Sequence, residues 1–213
     1  MQPRRRFIDD GGDRRLGGVA FDLRMLVMLV ALILLHPLAA CADVKAGEKK
    51  AQICRLCHKP ANTTAPMAIM PVLEGQPARY LYLQTRAYKE KRRPDPAMQT
   101  NAANLSDRDM RDIADYFAAQ RPLRASYQLD TARVAAGRTK AEELGCGACH
   151  LPSFAGRDTI PRLAGQTPGY LASQLQAFSA GRRAHGSGRD AAPPVTLSEE
   201  DAESLAHFLA SLE

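Results

Sequence analysis

Five residues that can do chemistry together occur twice: Cys54-Arg55-Leu56-Cys57-His58 and Cys146-Gly147-Ala148-Cys149-His150. In C-x-x-C-H, two thiols can add to the vinyl groups of a haem while the histidine binds the iron from one side. On one helical turn, positions i and i+3 present both sulfurs to the same side, and the next residue turns its imidazole to the metal. Three other chemistries use the same letters. A zinc centre needs four ligands, and the two pairs here stand far apart within repeated surroundings. A thioredoxin-like redox pair belongs in a βαβ context, and no segment here alternates like a strand. An exported C-x-x-C disulfide is the third. Two complete copies of the pattern, each ending a Gly-containing helix, favour covalent haem over all three.

The rest of the chain repeats around these motifs. Val44-Lys-Ala-Gly47 returns as Val134-Ala-Ala-Gly137, and Pro71-Val-Leu-Glu-Gly-Gln76 as Pro161-Arg-Leu-Ala-Gly-Gln166. Tyr80-Leu81 with Gln84 returns as Tyr170-Leu171 with Gln174, and LSDRD at Leu105 as LSEED at Leu197. The order is the same in both copies, so the chain is an internal duplication. Each copy reads as three helices. The first runs from about Ala46 to Cys57, and from Ala136 to Cys149 in the second copy. A middle helix follows Gln76-Pro77 and Thr167-Pro168, with proline at a helix start. The last is capped by Ser106 with Asp109 three residues on, and by Ser198 with Asp201. Behind these caps Met110, Ile113 and Phe117 share a face, as do Leu205, Leu209 and Leu212. Gln120 to Ser126 reads as the linker. The expected organisation is an export signal over 1–42, then two domains over 43–122 and 123–213. A domain this small struggles to bury an adequate core, and a large apolar cofactor would fill the gap.

Composition agrees with an all-helical chain: aromatics are 6%, tryptophan is absent and alanine is abundant. The formal charge is +6, but the first 42 residues hold six Arg and four Asp, which leaves +4 on the rest. That excess is scattered rather than striped, so nucleic acid is not an expected partner. Met25 to Leu35 is an apolar run behind Arg24, too short to span a bilayer comfortably and broken by His36-Pro37. Two endings fit it. Ala40 and Ala42 suit cleavage before Asp43, whereas Leu38-Ala39-Ala40-Cys41 resembles a lipobox in which Cys41 is lipidated. In either case the mature chain works outside the cytoplasm, with a lipid anchor as its one expected hold on a membrane.

With CxxCH, P-x-L-x-G-Q, the Tyr-Leu helix and the LSD-type cap in both copies, the chain from about residue 43 to 213 resembles the cytochrome c4 family. The resemblance implies an all-α protein of two tandem class I cytochrome c domains, each with about three main helices around one haem. It implies two covalently bound haem c groups, on Cys54 and Cys57 and on Cys146 and Cys149, with His58 and His150 as axial ligands. It also implies single-electron transfer in the periplasm with redox-protein partners, either a membrane respiratory complex or a terminal oxidase or reductase. The family's sixth ligand is a methionine about seven residues before the Leu of LSD, which here is Met98. Met67 and Met70 precede P-x-L-x-G-Q and are expected to pack against the haem edge.

The second copy departs from the pattern. No methionine follows Met110 and no lysine follows Lys140. The aligned positions are Gly188 or Asp190, neither of which replaces a thioether. Beyond His150 the nitrogen donors are His185, in the ligand loop, and His207, which aligns with Asp115 on the last helix and is expected at the surface. Two readings stand: His185 binds the second iron, or the sixth site has no protein ligand. The first suits an electron carrier. The second suits an enzyme or a sensor of small ligands; thiosulfate dehydrogenases resemble the family in fold but use a cysteine there, which this copy lacks. Arg92-Arg93 and Arg182-Arg183 are expected to meet haem propionates or solvent.

Overall fold

A computed structural model describes residues 44–58, 69–122, 127–186, 191–192 and 194–213. The leader with Cys41, Met67, the end of the linker, Gly188 and Asp190 lie outside the described residues. The described residues hold eight helices: α1 Val44–Arg55, α2 Ala78–Lys89, α3 Pro96–Ala102, α4 Asp107–Ala119, α5 Thr131–Glu143, α6 Cys146–His150, α7 Pro168–Ser179 and α8 Glu199–Ala210. Among them there is no strand, only an isolated bridge between Arg157 and Ile160.

Local chemistry explains where the helices begin. Ser106 accepts from Asp109 N while the Asp109 carboxylate takes the Ser106 N–H, so α4 opens on a complete capping box. At the start of α8 the Ser198 side chain accepts from Asp201 N. Pro77 stands at the N-cap of α2, and Pro168 begins α7. The helix α3 was not expected from sequence. Asp95 caps it through Met98 N at 2.9 Å, and Pro96 supplies its first turn.

Each copy is built on one tight helix crossing. A Cβ placed on Gly47 would lie 2.0 Å from Asp112 O, and one on Gly137 would lie 2.0 Å from Ser204 O. Only glycine lets α1 lie against α4, and α5 against α8, at that distance. Around the first crossing Ala51, Leu81, Ile113, Ala114, Tyr116 and Phe117 form a core. Around the second, Ala141, Phe154, Leu171, Leu205, Phe208 and Leu209 form another. Met110 is buried too, whereas Leu212 lies past the end of α8 and is only half-buried.

The copies are joined by reciprocal bonds. The Gln166 side chain accepts from Val72 N at 2.7 Å and donates to Val72 O at 2.9 Å. The Gln76 side chain donates to Arg162 O at 2.7 Å and accepts from Arg162 N at 3.0 Å. Each repeated glutamine thus reads the backbone of the residue after the repeated proline in the other copy. Both glutamines are buried, so leaving either amide unpaired would be costly.

Candidate haem sites

The first motif closes α1: His58 N donates to Cys54 O at 2.9 Å, which brings the histidine under the end of the helix. In the second copy α5 stops at Glu143. Gly145, at φ 64°, turns the chain so that the motif forms a separate short helix, α6. The result is alike in both. Cys54 and Cys146 are half-buried, and Cys57 and Cys149 are exposed. No disulfide joins Cys54 to Cys57 or Cys146 to Cys149, and burial pushes the Cys54 and Cys146 thiols up, away from the thiolate that redox cysteines need. Among the described residues no three His, Cys, Asp or Glu side chains converge as a metal cluster.

Both motif histidines are buried and held identically. His58 Nδ1 lies 2.9 Å from Pro71 O, and His150 Nδ1 lies 2.9 Å from Pro161 O. A carbonyl can only accept, so Nδ1 carries the proton in each, and Nε2 is left with a free lone pair. Burial pushes both imidazoles down, which keeps them neutral and able to bind a metal. The repeated proline therefore fixes the tautomer of the repeated histidine.

Met98 is half-buried and sits in α3. The Asp95 carboxylate that caps α3 acts on His58 through its charge, so the start of that helix and the histidine share one region. Met70 is half-buried, and its carbonyl accepts from Thr167 Oγ1 at 2.8 Å.

In the second copy His185 comes to His150. Their ring centroids are 6.2 Å apart and their planes 21° from parallel. If one iron held both imidazoles, metal–nitrogen bonds of about 2 Å and ~1 Å from ring nitrogen to centroid would allow centroids up to about 6 Å apart. Phe178 stacks on His185 at 4.7 Å, and Ala192 N donates to His185 O at 2.8 Å to close the loop. His185 Nδ1 is buried with no hydrogen-bond partner among the described residues. Burial, then His150 and Arg183, push its pKa down. His207 plays no part here: half-buried, its Nδ1 accepts from Asp130 N at 3.0 Å beside the start of α5.

The arginines do something the sequence did not disclose. Arg93 donates to Gln84, to Tyr170 at 2.8 Å and to Gln174 at 2.9 Å; Arg183 donates to Gln174, to Tyr80 at 3.2 Å and to Gln84 at 3.2 Å. Four of these six bonds, to Tyr170 and Gln174 from Arg93 and to Tyr80 and Gln84 from Arg183, cross between the copies. Among the described residues every one of these partners is neutral. A buried Arg93 and a half-buried Arg183 with neutral partners suit a cofactor that brings its own carboxylates. Arg92 instead pairs with Glu90 at the surface.

A cytochrome c family profile matches residues 134–213, the second copy. Cytochrome c4 of Pseudomonas aeruginosa is 38% identical over 75% of this chain and 83% of its own length. The crystal structure of reduced cytochrome c4 from Pseudomonas stutzeri superposes with a TM-score of 0.69 at 30% identity, over 81% of this chain and all of the other. A thiosulfate dehydrogenase from Marichromatium purpuratum is also similar, with a TM-score of 0.65 at 28% identity, over 80% of this chain and 40% of that one. By fold, by sequence and by its two haem-type motifs, the chain belongs to the cytochrome c4 family, electron carriers with two covalently bound haem c groups.

Proposed function

We propose that this protein carries single electrons on the periplasmic side of the membrane with its two haems held at different potentials. Two domains, over 43–122 and 123–213, would each bind one haem, the first through Cys54, Cys57, His58 and Met98. The second would use Cys146, Cys149, His150 and His185. Residues 1–42 would direct export, with cleavage after Ala42 or lipidation at Cys41. The partners would be a membrane respiratory complex and a terminal oxidase or reductase.

Bound haem c supplies one-electron iron chemistry. The chain's residues do the rest: the thiols tether, Pro71 and Pro161 aim the imidazoles, and the cores exclude water. A thioether at Met98 raises the potential of its site, whereas a second imidazole at His185 lowers that of the other. Electrons would then run from the second domain to the first. The single observation behind this reading is the His150–His185 pair, 6.2 Å apart, in the copy that has no methionine.

A second reading, a reactive enzyme or sensor haem with an open site, draws on the likeness to a thiosulfate dehydrogenase. The half-buried His185 beside His150 weighs against it. A spectroscopic redox titration tests the proposal. Two separate one-electron steps are expected, the lower one carrying the bis-imidazole spectrum. Two equal potentials with the same spectrum would contradict it.

A further inference from the structure

Phe178 lies near the end of α7, half-buried and outside the core that Leu171 and Leu175 of the same helix join. What it touches is His185: the ring centroids are 4.7 Å apart and the planes 25° from parallel. The guanidinium carbon of Arg183 lies 4.7 Å from the same phenyl centroid. Arg183 is fixed in turn by Gln174 at 2.6 Å and by Tyr80 of the first copy at 3.2 Å. A cation so fixed over its ring helps to hold Phe178 in place.

The two imidazoles of this site are oriented by different means. His150 is fixed by the hydrogen bond from its Nδ1 to Pro161 O at 2.9 Å. His185 Nδ1 has no such partner among the described residues. Its backbone is tied, because Ala192 N donates to His185 O at 2.8 Å and Arg183 N to Ala177 O at 3.1 Å. A tied backbone does not fix the ring, since the last side-chain torsion of a histidine has broad wells. The flat face of Phe178 does. The first copy has a similar aromatic–arginine pair, with Arg93 4.6 Å from the ring centroid of Tyr88. Its expected ligand, Met98, has no ring plane to set. The histidine laid on the aromatic face belongs to the second copy.

We propose that Phe178 is a positioning residue for the second haem site. By stacking on His185 it sets that imidazole nearly parallel to the imidazole of His150, with 21° between their planes. The inference rests on His185 being the sixth ligand of the second iron, and names what aims it. Groups behind a ligand orient it and tune the metal. Parallel imidazole planes act on the same one of two iron d orbitals and split their energies. Crossed planes act on one orbital each and leave the two nearly equal. In the ferric state, split orbitals give a rhombic spectrum with well-separated g values, and near-equal orbitals give a single very large g.

Electron paramagnetic resonance of the oxidised holoprotein tests this on wild type, Phe178→Leu, Phe178→Tyr and Phe208→Leu. Leucine stays apolar but has no flat face, and tyrosine keeps the face. Phe208 is an aromatic of the same copy's core. In wild type the second haem should give a rhombic low-spin signal. In Phe178→Leu that signal should broaden and its largest g should rise, while the first haem's signal stays as it was. Phe178→Tyr should match wild type. Phe208→Leu should match it too, although its melting temperature falls as for any lost core aromatic. The proposal is overturned if Phe178→Leu keeps the wild-type g values and width, or if Phe208→Leu or Phe178→Tyr moves them as far. It is also overturned if wild type already has the single large g of crossed planes. A high-spin second haem in wild type would instead remove the His185 reading itself.

Discussion

Glu74 is buried with one carboxylate oxygen, Oε2, that has no hydrogen-bond partner, and the second copy has Ala164 in its place. Burial pushes this carboxyl up from its ordinary 4.5. Between that value and the raised one, the folded protein holds more proton than the unfolded chain, so stability falls as pH rises through the window. Glu74→Gln should therefore be more stable than wild type at pH 7 by about 1 kcal/mol. Below pH ~4 the gain should fade. Guanidinium unfolding at both pH values checks this, and equal stability at pH 7 would contradict it. At the same scale, the histidines were unevenly legible. His58 and His150 declare themselves by the cysteines beside them. His207, expected at the surface, is half-buried and engages the backbone of Asp130, whose place 77 residues away no local pattern reveals.

At the scale of elements, the capped helices were readable because their signals are local. Ser106, Asp109 and Ser198 act within one turn, and Met110, Ile113 and Phe117 show their face by spacing alone. The helix α3 was missed because seven residues between two loops carry no hydrophobic period. Its cue was Asp95-Pro96, a cap followed by a helix-starting proline. The crossings of α1 with α4 and of α5 with α8 were marked only by the recurrence of Gly47 as Gly137. A valine at Gly137 would collide with the backbone of Ser204 and with Phe208. Gly137→Val should cost about 3 kcal/mol or more, measured by guanidinium unfolding. A loss below ~0.5 kcal/mol, the level of an ordinary surface change, would mean that the helices do not meet as described.

At the scale of the whole molecule, the duplication is plain in the sequence, but the way the copies grip each other is not. Gln76 and Gln166 stood out as repeated landmarks without a role, since each finds its partner some 90 residues away. Arg93 and Arg183, read towards propionates or solvent, also each reach a tyrosine and a glutamine of the opposite copy. The same symmetry makes the departures meaningful. Where one copy has Met98 in a capped helix, the other has His185 beside His150. The sharpest test is electron paramagnetic resonance of the oxidised holoprotein and of His185→Ala, with carbon monoxide uptake by the reduced forms. Wild type should show two distinct low-spin ferric haems and take up no carbon monoxide. In His185→Ala the second should turn high-spin and bind the gas when reduced, with the first unchanged. If the second haem keeps the same low-spin signal in His185→Ala, His185 is not its ligand and the proposed inequality of the two sites loses its cause.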